Sequence, residues 1–216
     1  MVDRVIRCVA VSESYDMPIL KLHIQLHLDY TDHWIFVETK SNLKTNLPQS
    51  LIAKQTVEST VPSTYWHRFT YVCEDEVLSV LPKERRVYLL LESFKLPIAA
   101  LHVLSNDVIV LSSVIELCEP TAILSWMYEL DTKRPLCVTH EFYQWSVKYR
   151  LGRREGARVF RAEMLRNHTI TEIYSHKAPC TVNNGWACLD IGRSNEKPYG
   201  AEVLVQPNQY LARINI

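Results

Sequence analysis

The sequence predicts an α/β protein, with a mixed, mostly parallel central sheet flanked by helices. Three observations carry that prediction. Strand-length apolar runs rich in β-branched residues recur at Val5 to Val11, Trp34 to Val37 and Val108 to Leu111. Longer stretches of helical character lie between them, and strand alternating with helix is the signature of a parallel sheet. The 216 residues, 47% hydrophobic and 22% charged, are enough for one sizeable core, so the expected organisation is a single domain over 1–216 with halves at 1–130 and 131–216.

Element by element, Val5 to Val11 reads as a first buried strand, and Ser12-Glu13-Ser14 supplies turn chemistry after it. Met17 to Leu28 reads as a helix because Pro18 fits a first turn and the length exceeds that of a strand. Trp34 to Thr39 is a second strand ending on a carboxylate, and Lys40 to Pro48 a polar loop. Tyr65 to Cys73 is the third strand, with Glu74-Asp75-Glu76 opening the next segment. Lys83 to Leu101 reads as one helix kinked at Pro97, Val108 to Leu111 as the most continuous strand, and Pro120 to Leu130 as the helix after it. Beyond Lys133, His140 to Tyr149 reads as a strand, followed by a charged loop holding Gly152 and Gly156. Val159 to Leu165, Ile170 to Tyr174 and Ala187 to Ile191 are short pieces.

Bulk composition narrows the function classes. Lysine plus arginine equals aspartate plus glutamate at 24 each, so no basic field favours nucleic acid or an anionic membrane. No apolar run reaches the roughly 20 residues of a membrane helix. Six cysteines without CxxC spacing, and no leader-like start, predict reduced thiols and a cytoplasmic setting. His23, His27 and His33 suggest a zinc site, but no HExxH carboxylate accompanies them, so helix-surface histidines are the expectation. Ser112-Ser113 lacks the glycines of a nucleophile elbow, and no phosphate-binding GxxxxGK[ST] loop occurs.

The most informative stretch runs from Asn106 to Leu117, where a hydrophobic strand enters a short polar turn at Ser112-Ser113-Val114-Ile115-Glu116. With Val37-Glu38-Thr39 and Gly185-Trp186-Ala187 in the same order, it resembles glycosyltransferase family 17, which contains β-1,4-mannosyl-glycoprotein N-acetylglucosaminyltransferase and its bacterial and viral relatives. The resemblance covers most of the chain in order and pattern. It implies a GT-A fold and inverting transfer of a sugar from a nucleotide diphosphate sugar to a hydroxyl on a glycan or glycoprotein. The first half would then bind the nucleotide sugar and the second face the acceptor, in a bacterial or virus-infected host cell.

The family's Ser-Asp-Val-Asp-Glu-Ile turn holds a divalent cation, and the late Gly-Trp-His histidine completes its shell. Here Ser112, Val114 and Glu116 match while both aspartates and that histidine are replaced, by Ser113, Ile115 and Ala187. The expectation is therefore no Mn²⁺ or Mg²⁺ cofactor and no metal ligands, since one carboxylate cannot supply the oxygens a hard cation needs. Arg86, Lys95, Arg158, Arg161, Arg166 and Arg193 are the candidates to offset the diphosphate charge instead. Within that frame Asp190, close behind Gly185-Trp186, and Glu116 are the candidate catalytic carboxylates, and Asp16, Glu38, Ser113, Gly185 and Trp186 the candidate substrate-binding residues. Tyr15-Asp16 and His23 stand where the family has Asn-Glu and a helix arginine. The same lost ligands also suit a catalytically inactive binding or assembly module.

Overall fold

The structure, a computed structural model, describes residues 3–11, 17–40, 50–74, 83–130, 133–144, 146–176, 181–189 and 202–203. The first half is built from β1 (Val5–Val11), α1 (Met17–His27), β2 (His33–Thr39), α2 (Ala53–Thr60), β3 (Phe69–Glu74), α3 (Lys83–Glu92), α4 (Lys95–Ala100) and β4 (Val108–Ser113). The second half adds β5 (Glu116–Cys118), α5 (Ala122–Glu129), β6 (Leu136–Gln144), β7 (Ser146–Arg161), α6 (Ile170–Ser175), β8 (Thr181–Leu189) and β9 (Glu202–Val203).

One mixed sheet runs in the order β3-β2-β1-β4-β7-β6-β8-β5, with β9 on β7. The pairs β3-β2, β2-β1 and β1-β4 are parallel, while β4-β7 and β7-β6 are antiparallel. This is the Rossmann-like α/β sheet expected. β1 is buried along its whole length because both faces are covered, which is why it reads as an unbroken apolar run. Even-numbered positions of β2 and odd-numbered positions of β1 (Trp34, Phe36, Val9, Val11) pack beneath α1 and α2. The opposite face, through Cys8, Val37, Ile109, Leu111 and Phe160, packs against α3, α4 and α6.

Several sequence expectations are corrected. Lys83 to Leu101 is two helices, broken at Ser93-Phe94 rather than kinked at Pro97. Pro97 has no N–H for the Ser93 carbonyl and its ring would strike that group, so the helix restarts with Pro97 in its first turn. The front of the expected third strand, Tyr65 to Arg68, belongs to a 3-10 turn over Ser63–Arg68, and strand begins only at Phe69. His140 to Tyr149 is not one strand but the meeting of β6 and β7. The expected charged loop around Gly152 and Gly156 lies inside β7: Gly152, at φ 120°, sits where the β6-β7 register shifts. Ile170–Ser175 is a helix opened by a capping box between Thr169 and Glu172. The loop at 41–48, Asp75 and Glu76, and the tail beyond 203 lie outside the described residues.

Candidate functional site

The helix after β1 leads to β2 on one side, whereas β4 joins β1 on the other, so the strand order switches direction between β1 and β4. In such sheets ligands bind beyond the carboxyl ends of the strands at this switch. Ala10 pairs with Ser113 and Val11 with Glu38, which places the Ser113 turn and the Glu38 strand end at that crevice, two strand spacings or roughly 10 Å apart.

At Glu38 the carboxylate turns under the sheet. Its Oε1 accepts from the Ile52 N–H at 2.7 Å and its Oε2 from the Ala53 N–H at 3.0 Å, so it caps α2 from a distant strand. The group is only 6% exposed. Burial raises its pKa, and the two N–H donors pull it partly back.

The Ser113 turn closes on Glu116, whose Oε2 accepts the Ser113 N–H at 2.7 Å. Val114, 1% exposed, and the partly buried Ile115 enter the apolar core beneath α1. The turn is held from below by α1: a His23 ring nitrogen bonds the Val114 carbonyl at 3.2 Å and a His27 ring nitrogen the Cys118 carbonyl at 3.0 Å. His23 and His27 are therefore core residues, not the helix-surface histidines expected, while His33 is half-buried against Thr70. Desolvation, reinforced by the buried Arg7, lowers the His23 pKa to about 3 and places that of His27 well below normal. The Arg7 guanidinium approaches the second His23 nitrogen at 3.5 Å, which fits a neutral ring donating to Val114 and accepting from Arg7.

On the other side of Glu116 stands a residue the sequence reading passed over. His140 on β6 is 1% exposed, and among the described residues its ring nitrogens make no hydrogen bond of good geometry, the Val138 backbone being the group that comes near enough to act on the ring. It lies between two glycines of neighbouring strands. A Cβ on Gly156 would meet His140 Nδ1 at 2.5 Å and Glu116 Oε1 at 2.6 Å, and one on Gly185 would meet His140 Cδ2 at 2.5 Å. Burial lowers the His140 pKa to about 4, opposed by the Val138 backbone and helped by the Arg158 charge. Arg158 bonds Cys137 Sγ and the Gly156 carbonyl and stands 5.4 Å from the Tyr174 ring centre, leaving its Nε–H without an acceptor among the described residues. Tyr174 is pushed up to about 12, first by the Glu116 charge and then by burial. Glu116 itself is raised by desolvation against the Ser113 donors and the Arg158 charge.

Of the sequence-predicted site residues, Ser113, Glu116 and Gly185 come together around His140, and Trp186 follows Gly185 on β8 opposite Leu117. Gly185 makes room for the imidazole. Glu38 lies at the same sheet end but faces α2. Asp16 and Asp190 fall outside the described residues. Among the candidate cations, Arg158 reaches this cluster. Arg161 is bound to Asp3 and to the Asn106 and Met127 carbonyls, and Lys95 and Arg166 line a cavity of about 480 Å³ at the opposite end of the strands. Arg86 lies on α3, and Arg193 outside the described residues. The turn does not fit a divalent cation: Ser113 and Ile115 carry no carboxylate, and one Glu116 oxygen is taken by the Ser113 N–H.

No family model matches the chain, and no curated protein does. Among solved structures the chain is similar to 4-diphosphocytidyl-2C-methyl-D-erythritol synthase at TM-score 0.47 and 10% identity, over 99% of each chain. It is similar to an active-site mutant of LgtC at TM-score 0.45 and 10% identity, over 83% of this chain and 72% of that one. A third is the inositol-1-phosphate CTP transferase from T. maritima, at TM-score 0.38 and 8% identity over 84% of each chain. Likeness at this level carries no argument about what the crevice binds.

Proposed function

We propose that the protein is an inverting, metal-independent glycosyltransferase that moves a sugar from a nucleotide diphosphate sugar to a hydroxyl of a glycan or glycoprotein. The observation that carries this reading is the position of the Ser113-Glu116 turn. It lies at the carboxyl end of β4, at the switch point of the parallel strands, with an ionisable cluster of Glu116, His140, Arg158 and Tyr174 beside it. In this scheme Arg158 contributes the positive charge that a cation would otherwise bring to the departing diphosphate, and Glu116 or Asp190 accepts the acceptor's proton. Glu38, Asp16 and Trp186 would border the donor, within the family 17 pattern that the three motifs resemble.

A second reading, a binding or assembly module without turnover, is favoured by one specific feature. Ile115, at a position where the resembled turn carries an aspartate, packs against the apolar core instead. Calorimetric titration and turnover assays against a panel of UDP- and GDP-sugars, each with and without EDTA, separate the readings. The transferase reading expects binding and slow donor hydrolysis that EDTA leaves unchanged. Binding without hydrolysis or transfer selects the module, and no binding to any donor removes the catalytic version.

A further inference from the structure

Helix α1 meets the segment that carries Glu116 on both sides of that residue. His23 and His27 lie four apart on one helix face, and the carbonyls their rings approach, Val114 at 3.2 Å and Cys118 at 3.0 Å, lie four apart as well. Glu116 stands midway between those contacts. The polarity of the first is decided by Arg7: a guanidinium only donates, so His23 Nε2, 3.5 Å from Arg7 Nη1, offers its lone pair and Nδ1 carries the proton to Val114. Val114 is thereby held from two directions, because its own N–H donates to the Ala10 carbonyl at 2.9 Å. His27 is different. Both its nitrogens face carbonyls, His23 at 2.7 Å and Cys118 at 3.0 Å, and a neutral ring has one N–H to give.

This arrangement is costly to bury. Arg7 is 0% exposed and has no carboxylate partner among the described residues, only Thr31, His23, Cys118 and the Trp34 ring. An aliphatic side chain at position 23 would suit the core without any polar atom to satisfy, so what the imidazole adds there is its bond to the turn. We propose that His23 is a positioning residue for Glu116: its bond to the Val114 carbonyl, oriented by Arg7, keeps the turn closed with the Glu116 carboxylate on the Ser113 N–H. The catalytic use of Glu116 rests on the transferase reading, and His23 touches no reacting atom in it.

The test follows the Ser113 amide proton by NMR as pH is varied, in the wild-type protein, His23→Leu and His23→Asn. That amide donates to Glu116 Oε2, so its shift tracks ionisation of the carboxylate while the turn is closed. Leucine fills the site without a donor, whereas asparagine keeps an N–H near the Nδ1 position. With its pKa lowered to about 3, His23 is neutral while Glu116 titrates, so the leucine removes no charge and a changed signal reports geometry. The titration amplitude should fall by about half or more in His23→Leu and return in His23→Asn. In sugar-nucleotide turnover, His23→Leu should lower kcat about tenfold with the donor KM within about twofold. A wild-type amplitude in the leucine variant, an asparagine variant that behaves like leucine, or an unchanged kcat overturns the proposal. If neither variant folds, the imidazole ¹⁵N shifts of the wild type decide: Nδ1–H is required, and the Nε2–H tautomer overturns it. A Ser113 signal lost in His23→Leu, in a protein that turns over no donor, removes the transferase reading and leaves the grip on the turn standing. Turnover with the Ser113 signal unmoved does the reverse.

Discussion

Single residues at the crevice are held by contacts that no local pattern encodes. Glu38 looks like a strand-end carboxylate, yet it caps a helix that starts fifteen residues later. Glu38→Gln puts an amide NH₂ against one of two backbone donors, and urea denaturation should show a loss of about 1–2 kcal/mol. Gly185 illustrates the same point. The motif Gly185-Trp186 suggests close approach of a ligand, whereas the glycine in fact clears space for His140. Gly185→Ala should destabilise the fold by roughly 1–3 kcal/mol through overpacking. Most of that loss should disappear when the alanine is introduced into His140→Ala, so the denaturation midpoints of the four-member cycle should be strongly non-additive.

Elements come next. β1, β2, β4 and α1 were legible because a buried parallel strand is apolar on both faces and α1 is long enough to exclude a strand. β7 was not, since its charged residues and two glycines resemble a loop until Gly156 is seen to clear His140 on β6 and Gly152 to take a positive φ at the register shift. β5, three residues long, has no periodicity to read. The six-residue α6 is too short to persist alone, so its capping box and its packing on the sheet decide its existence. It also holds Tyr174 near Arg158. Thr169→Ala should cost about 1 kcal/mol in thermal or chemical denaturation and loosen Tyr174, which its fluorescence would register.

Across the whole molecule, three buried histidines make the fold sensitive to acid. His23 at about 3, His140 at about 4 and His27 well below normal all resist protonation when folded, through desolvation first and then Arg7 or Arg158. Their unfolded forms take up protons below roughly pH 6.5. The stability they permit is therefore complete above that pH and falls as the pH drops toward the folded values, by about 1.4 kcal/mol per pH unit for each. Urea midpoints at pH 7 and pH 5 should differ strongly, and His140→Phe should shrink the difference by about a third. The sequence by itself determined the α/β class and the core strands, because hydrophobic period is a local property. The tertiary structure alone decided that Glu38 caps a helix, that His23 and His27 are buried beneath the turn, and that Gly156 and Gly185 enclose His140 beside Glu116. Those meetings join residues from 14 to 91 positions apart, and which of them meet is fixed only when the strands take their order in the sheet.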